Sequence, residues 1–214
     1  MERITSCLML AANLEAPVSF TSVFDSEDLK DTGIEFESHV TVLFAKDRML
    51  EKGELMKNIE TAWWNSNPRF DVMEKLKKEK SQEEYAVPVF DIFDLGSFEN
   101  DSGYVVLKMK PKCEWYDILS TLNSGLMHIY GIKSEFATYT PHLTLAEVKP
   151  GLTEKYVTNE TLRLVLRDSV VHFEDFIVSY DTGDKSYKVH DLTHNHSVDR
   201  FFRIRDLKSE EEDL

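Results

Sequence analysis

Ser38-His39-Val40-Thr41 and Pro141-His142-Leu143-Thr144 carry one pattern twice: a histidine, an aliphatic residue and a threonine inside an apolar run. None of the other five histidines repeats it. Two imidazoles suit a displacement at phosphorus, in which protons move at opposite ends of the reacting group. A neutral ring takes a proton from the attacking oxygen while a protonated ring gives one to the leaving oxygen. A threonine hydroxyl beside each ring can donate to the non-bridging oxygens and stabilise charge that grows in the transition state. Such chemistry needs no metal. The motifs are symmetric, so which ring is base and which is acid stays open at this stage. They stand 103 residues apart in a chain of 214, and each histidine is followed seven residues later by a lysine, Lys46 and Lys149.

The flanks of both motifs predict strands. Phe36 to Phe44 and Thr138 to Val148 are rich in β-branched, aromatic and aliphatic residues. Side chains alternate along a strand, so His39 and Thr41 share one face while Val40 and Val42 take the other, and His142 and Thr144 share a face opposite Leu143 and Leu145. Pro141 has no N–H for a ladder, which suits a strand start, an edge or a bulge, and bulges re-aim side chains.

The paired motifs, with Pro141 before the second histidine, resemble those of the two-histidine (2H) phosphoesterase superfamily. The match is specific at the two motifs and loose elsewhere. The resemblance implies an α+β, bilobal fold: two mostly antiparallel sheets with outer helices around a central cleft, each lobe supplying one motif strand. It further implies that His39 and His142 are catalytic and that Thr41 and Thr144 bind the substrate phosphate. The implied activity is cleavage of a cyclic phosphate, or of a 2′-5′ or 3′-5′ linkage, in a small nucleotide or short oligonucleotide. Removal of a signalling nucleotide used in antiviral defence, such as a cyclic oligonucleotide or a 2′-5′ oligoadenylate, is one setting for this activity. The alternatives are a 2′,3′-cyclic phosphodiesterase acting on RNA ends, or a module that sequesters a nucleotide without turning it over. Both histidines are present, which favours turnover, since binding alone needs no matched acid and base.

Four further residues are candidates for contact with a base or phosphate. Trp64 and Tyr139 could stack on a nucleobase, although an aromatic at helical spacing is more often core and Tyr139 lies on the odd side of His142. Lys46 and Lys149 could reach a phosphate if the strands end or twist before them. The cluster His190, His194 and His196 invites a metal reading, but no cysteine lies near and the stretch reads as a turn, so no metal and no cofactor is expected. His128 is expected near a helix C-terminus and His172 on a strand surface.

A formal charge of −14 opposes a grip on long nucleic acid, which depends on many Lys and Arg contacts. Lys75 to Lys80 is basic but flanked by glutamates, as on a solvated helix face. With 42% hydrophobic and 30% charged residues, the chain suits a single bilobal domain over 1–214, with residues 209–214 an acidic tail. No window has the length of a membrane span, and Ile4 to Ala12 reads as a first strand rather than a targeting segment. Cys7 and Cys113 make no disulfide framework, so a reducing cytoplasm is expected; the chain is expected to be a monomer.

Periodicity places a helix over Leu50 to Trp64, with Leu55, Met56, Ile59, Ala62 and Trp63 on one stripe, and another over Glu114 to Tyr130 closed by Gly131. A helical turn is predicted over Ser26 to Leu29 and a charged, helical segment over Val72 to Glu84. Strands are predicted over Ala86 to Phe98, Tyr104 to Lys110, Leu162 to Leu166, Val170 to Tyr180, Tyr187 to Leu192 and Val198 to Arg205. This order makes an α+β pattern in which each sheet buries one face under a helix and leaves the other for the cleft.

Overall fold

The computed structural model describes residues 5–36, 38–66, 86–98, 102–133, 138–181 and 187–191. The segments expected over Val72 to Glu84 and Val198 to Arg205, His194, His196 and the acidic tail lie outside them. In chain order the elements are β1 (Thr5–Glu15), a 3-10 turn (Phe20–Val23), β2 (Leu29–Ile34), β3 (His39–Ala45) and α1 (Lys52–Ser66). Then come β4 (Val87–Pro88), α2 (Val89–Ile92), β5 (Phe93–Ser97), β6 (Tyr104–Met109) and α3 (Glu114–Tyr130). The last are β7 (His142–Val148), α4 (Thr153–Val157), α5 (Glu160–Arg167), β8 (Val170–Asp181) and β9 (Tyr187–Asp191).

The strands make one antiparallel sheet in the order β4-β8-β1-β3-β7-β6-β5, with β2 also on β7 and β9 also on β8. The two sheets expected from the motifs are the two halves of this one. They meet where β3 lies beside β7, and Val40 opposite Leu143 is the register pair that joins them. The motif strands are thus the central neighbours of the sheet.

Each motif strand carries a bulge at the same place. Leu8 pairs with Leu43 and Met9 with Thr41, which leaves Val42 as an extra residue in β3. Val105 pairs with Ala146 and Val106 with Thr144, which leaves Leu145 extra in β7. Val42 and Leu145 each follow their histidine by three positions. After the bulge the faces exchange, so Leu43 and Ala45 in β3, and Ala146 and Val148 in β7, join the buried side. The side chains of Phe44 and Glu147 therefore fall on the His-Thr face, because they stand opposite Cys7 and Tyr104 on strands whose Met9 and Val106 oppose Thr41 and Thr144.

Helices cover the other face. Leu55, Ile59 and Ala62 of α1 and Leu119, Leu122 and Leu126 of α3 are buried in the core cluster with Val40, Val42, Leu143 and Leu145. At about 25 cal/mol per Å2 of apolar surface withdrawn from water, each such Leu or Ile side chain contributes roughly 1.5–3 kcal/mol. Cys113 caps α3, its Sγ accepting from Tyr116 N at 3.4 Å, and Gly131 closes it at φ 63° with Ile132 N donating to Met127 O at 2.9 Å.

Three expectations are corrected. Leu162 to Leu166 is helix, within α5, because Asn159 caps it by accepting from Leu162 N at 2.9 Å and because Leu162 and Leu166, four apart, bury together. His172 is buried rather than on the surface, with its Nε2 3.5 Å from Glu15 Oε2. The stretch from Ala86 to Phe98 is also interrupted, since Val89–Ile92 turns as a short helix between two strands.

Candidate active site

Strand register builds the site. Carrying Val40 opposite Leu143 one step either way sets His39 opposite Thr144 and Thr41 opposite His142. Side chains directly opposed on one face have Cβ atoms roughly 4.5–5.5 Å apart, so each imidazole stands beside the hydroxyl of the other motif. Two rows cross the sheet here. One runs Ala11, His39, Thr144, Val106, Gly96, and the other Met9, Thr41, His142, Lys108, Asp94. His39, Thr41, His142 and Thr144 are all half-buried. Met9 and Val106 are buried but stand outside the main core cluster, as befits residues on the opposite face of the sheet.

The segment before β7 is fixed to its neighbours. Tyr139 Oη donates to Thr41 O at 2.7 Å, Tyr116 Oη donates to Tyr139 O at 3.4 Å, and Met109 N donates to Pro141 O at 2.9 Å. Asn123, buried on α3, donates through Nδ2 to Val42 O at 2.7 Å, so the bulged residue's carbonyl has its partner. The matching carbonyl of Leu145 accepts from Glu35 N at 3.1 Å. Burial pushes the Tyr139 hydroxyl well above the usual phenol value, and it remains a donor.

His142 Nδ1 lies 2.8 Å from Thr140 O. A carbonyl only accepts, so Nδ1 carries the proton and the lone pair of the neutral ring is on Nε2. Burial holds this imidazole below the ordinary histidine range; the hydrogen bond to Thr140 works against that, and the charges of His39 and Lys108 add to the lowering. The Phe98 ring meets His142 edge-on, centroids 4.7 Å apart at 82°. Lys108 stands over the same Phe98 ring at 5.1 Å.

Cys7 Sγ donates to Thr41 Oγ1 at 3.8 Å, a long and weak bond that still orients the hydroxyl. Burial pushes the Cys7 thiol up to about 11, against a smaller lowering by Thr41. On the β7 side, Lys30 Nζ contacts Glu147 Oε1 at 2.7 Å, and Thr32 also donates to Glu147. Burial works to raise the Glu147 carboxyl, but hydrogen bonds from Lys30, Thr32 and Tyr104 outweigh it and hold it below the usual carboxylate range.

The four motif residues therefore come together, and Tyr139, Lys149 and Lys46 do not join them in the same way. Tyr139 is occupied with the backbone of β3 rather than presenting its hydroxyl to the cleft. Lys149 Nζ donates to Glu27 O, and its backbone N donates to Asp28 O at 2.8 Å, which ties it to the segment before β2. Lys46 is exposed in the turn after β3. The side chain of Trp64, like that of His190 in β9, falls outside the described part of the structure. Among the described residues, no three His, Cys, Asp or Glu side chains gather as metal ligands. Sequence reasoning missed Lys108, Phe98, Cys7 and Phe44. Lys108 comes from β6, next to β7, and only register brings it in, while Phe98 follows β5 and meets His142 through its ring. Phe44, 49% exposed, reaches this face only through the bulge at Val42.

No family model and no curated protein matches the chain. Among solved structures it is similar to E. coli LigT complexed with 3′-AMP, at 14% identity and a TM-score of 0.41, over 89% of this chain and 95% of that one. A structure named only as a phosphoesterase is similar at 13% identity and a TM-score of 0.40, over 89% and 95% of the two chains. Usb1 of Kluyveromyces marxianus is similar at 11% identity and a TM-score of 0.36, over 86% and 96%.

Proposed function

We propose that this chain is a 2H phosphoesterase, a metal-independent phosphodiesterase whose substrate phosphate lies between His39 and His142. The observation that carries the reading is the juxtaposition of the two His-x-Thr motifs on one face, across the pair Val40 and Leu143. His142 is the base of the first step: its Nδ1–H is tied to Thr140 O, and its lowered proton affinity keeps it neutral at mild pH. Nε2 of His142 takes a proton from the attacking oxygen, a ribose hydroxyl or water, which bonds to phosphorus. The leaving oxygen departs with a proton from the His39 imidazolium. In a second step, or in the next turnover, the rings exchange their roles. Thr41 and Thr144 donate to the non-bridging oxygens. The thiol of Cys7 donates to the Thr41 oxygen, which leaves the Thr41 proton for the phosphate.

The substrate is a small nucleotide or a short oligonucleotide, a reading supported by the charge of −14, which disfavours a polyanion held along the surface. A cyclic-oligonucleotide or 2′-5′ oligoadenylate signal fits this size class, as does an RNA-end cyclic phosphate. The test is incubation with 2′,3′-cyclic mononucleotides, 2′-5′ oligoadenylates and cyclic di- and trinucleotides in excess EDTA. Turnover is expected for at least one class, falling by about 100-fold or more in His39→Ala and in His142→Ala. Intact ligand after prolonged incubation, with tight binding, would replace the enzyme by the sequestering module.

A further inference from the structure

We propose that Lys108 binds a second phosphate of the substrate, one nucleotide unit from the phosphate held between the histidines, so that the site selects ligands carrying a phosphate on both sides of a ribose. The inference rests on the reading above, since the first phosphate defines where the second must lie.

Position comes first. Lys108 is the cross-strand partner of His142, and Val106, two residues before it, is the partner of Thr144, so Lys108 projects on the same face as the motif side chains. Its stem runs away from β3. A Cβ built on Gly96 of β5 would meet Lys108 Cδ at 3.5 Å, Cε at 3.6 Å and Nζ at 3.9 Å. The ammonium thus lies over the next strand, one to two strand spacings from His142, or roughly 5–10 Å. From there the ammonium is within reach of the next phosphate along a nucleotide chain. The stem thus passes at ordinary van der Waals distance over Gly96.

Charge comes second. Lys108 is half-buried, and among the described residues no carboxylate lies within ion-pair distance of its Nζ. Asp94, its partner across β5, is strongly exposed and lies 3.7 Å from Lys110 instead. Lys30, on the same face, has Glu147 as its counter-ion. What supports the Lys108 ammonium is the Phe98 ring, a contact worth about 0.5–2 kcal/mol and too weak to neutralise a partly desolvated cation. In a chain of net charge −14, a lysine left in this condition beside the histidines is a place prepared for an anion.

The experiment compares calorimetric affinities for adenosine 3′-monophosphate and adenosine 3′,5′-bisphosphate, for the full chain and for Lys108→Met, Lys108→Gln and Lys108→Arg. The unsubstituted protein is expected to bind the bisphosphate at least 10-fold more tightly. Met and Gln are expected to erase that preference, and Arg to keep it. Equal affinities in the unsubstituted protein, or a preference that survives both neutral substitutions, would overturn the proposal. Turnover of the panel above is scored separately. A bisphosphate preference that depends on Lys108, with no turnover of any substrate, would uphold this inference and sink the phosphodiesterase reading.

Discussion

The hydroxyl of Tyr139 donates to the carbonyl of Thr41 at 2.7 Å, so the segment that introduces the second motif holds the backbone of the first. Neither residue's distance from a substrate matters for this; the bond sets the spacing between the strands that carry the two histidines. Tyr139→Phe removes the donor and leaves a buried carbonyl unsatisfied, at a cost of about 1–3 kcal/mol. Denaturant unfolding should show a lower midpoint with an unchanged slope, together with a lower kcat.

Asn123 plays the corresponding part from the helical side, at the bulge itself. Asn123→Leu is close in volume but cannot donate to Val42 O, and it should destabilise by roughly 1–3 kcal/mol. Because Val42 is the residue at which the faces of β3 exchange, hydrogen exchange should accelerate at β3 more than at β8.

The pH dependence follows from His142. Its folded-state affinity for protons is lowered, chiefly by burial, so it stays neutral into a range where an ordinary histidine, near 6.5, is protonated. The acid limb of kcat/KM should therefore fall below the ordinary histidine value. Stability has the matching sign: above that value the group makes no difference, and as pH falls through it the unfolded chain takes up the proton first and stability declines. An acid limb above 6.5 would remove His142 from the role of base.

Cys7 should resist alkylation. A thiol pushed from 9.0 to about 11 has a thiolate fraction at neutral pH lower by a factor of ~100. Iodoacetamide should modify Cys7 of the folded protein far more slowly than the same residue in urea, as peptide mass mapping would read.

Gly125 lies on α3 where the helix crosses α1, and a Cβ there would come within 2.8 Å of the Ala62 Cβ. Helix propensity alone would reward Gly125→Ala by about 0.5–1 kcal/mol. Overpacking against Ala62 costs about 1–3 kcal/mol and should win, so thermal unfolding is expected at a lower temperature.

How far the sequence could be read depended on whether a feature was local. The helix Glu114–Tyr130 was legible to the residue, because its stripe spans several turns and Gly131 marks its end. Both motif strands were legible by alternation. The helix at Glu160–Arg167 was not, because five residues reading Leu-Arg-Leu-Val-Leu alternate like a strand, and the cap at Asn159 is a one-residue signal. The paired bulges were hidden for another reason. An extra residue leaves the alternation on each side of it intact, and only the facing strand reveals that the count has changed. Lys108 belongs to the neighbourhood of His142 by strand pairing across a long helix, and Phe98 by a ring contact from beyond β5, neither of which a local window contains.

The narrow seam at Val40 and Leu143 also bears on how the molecule comes into being. During synthesis the first motif leaves the ribosome 103 residues ahead of the second. Closing so long a loop is entropically costly and is rewarded only late, when the second half has its own shape. The pairing of the two motif strands is therefore among the last features to be assembled, and nascent chains that stop short of β7 carry His39 without His142.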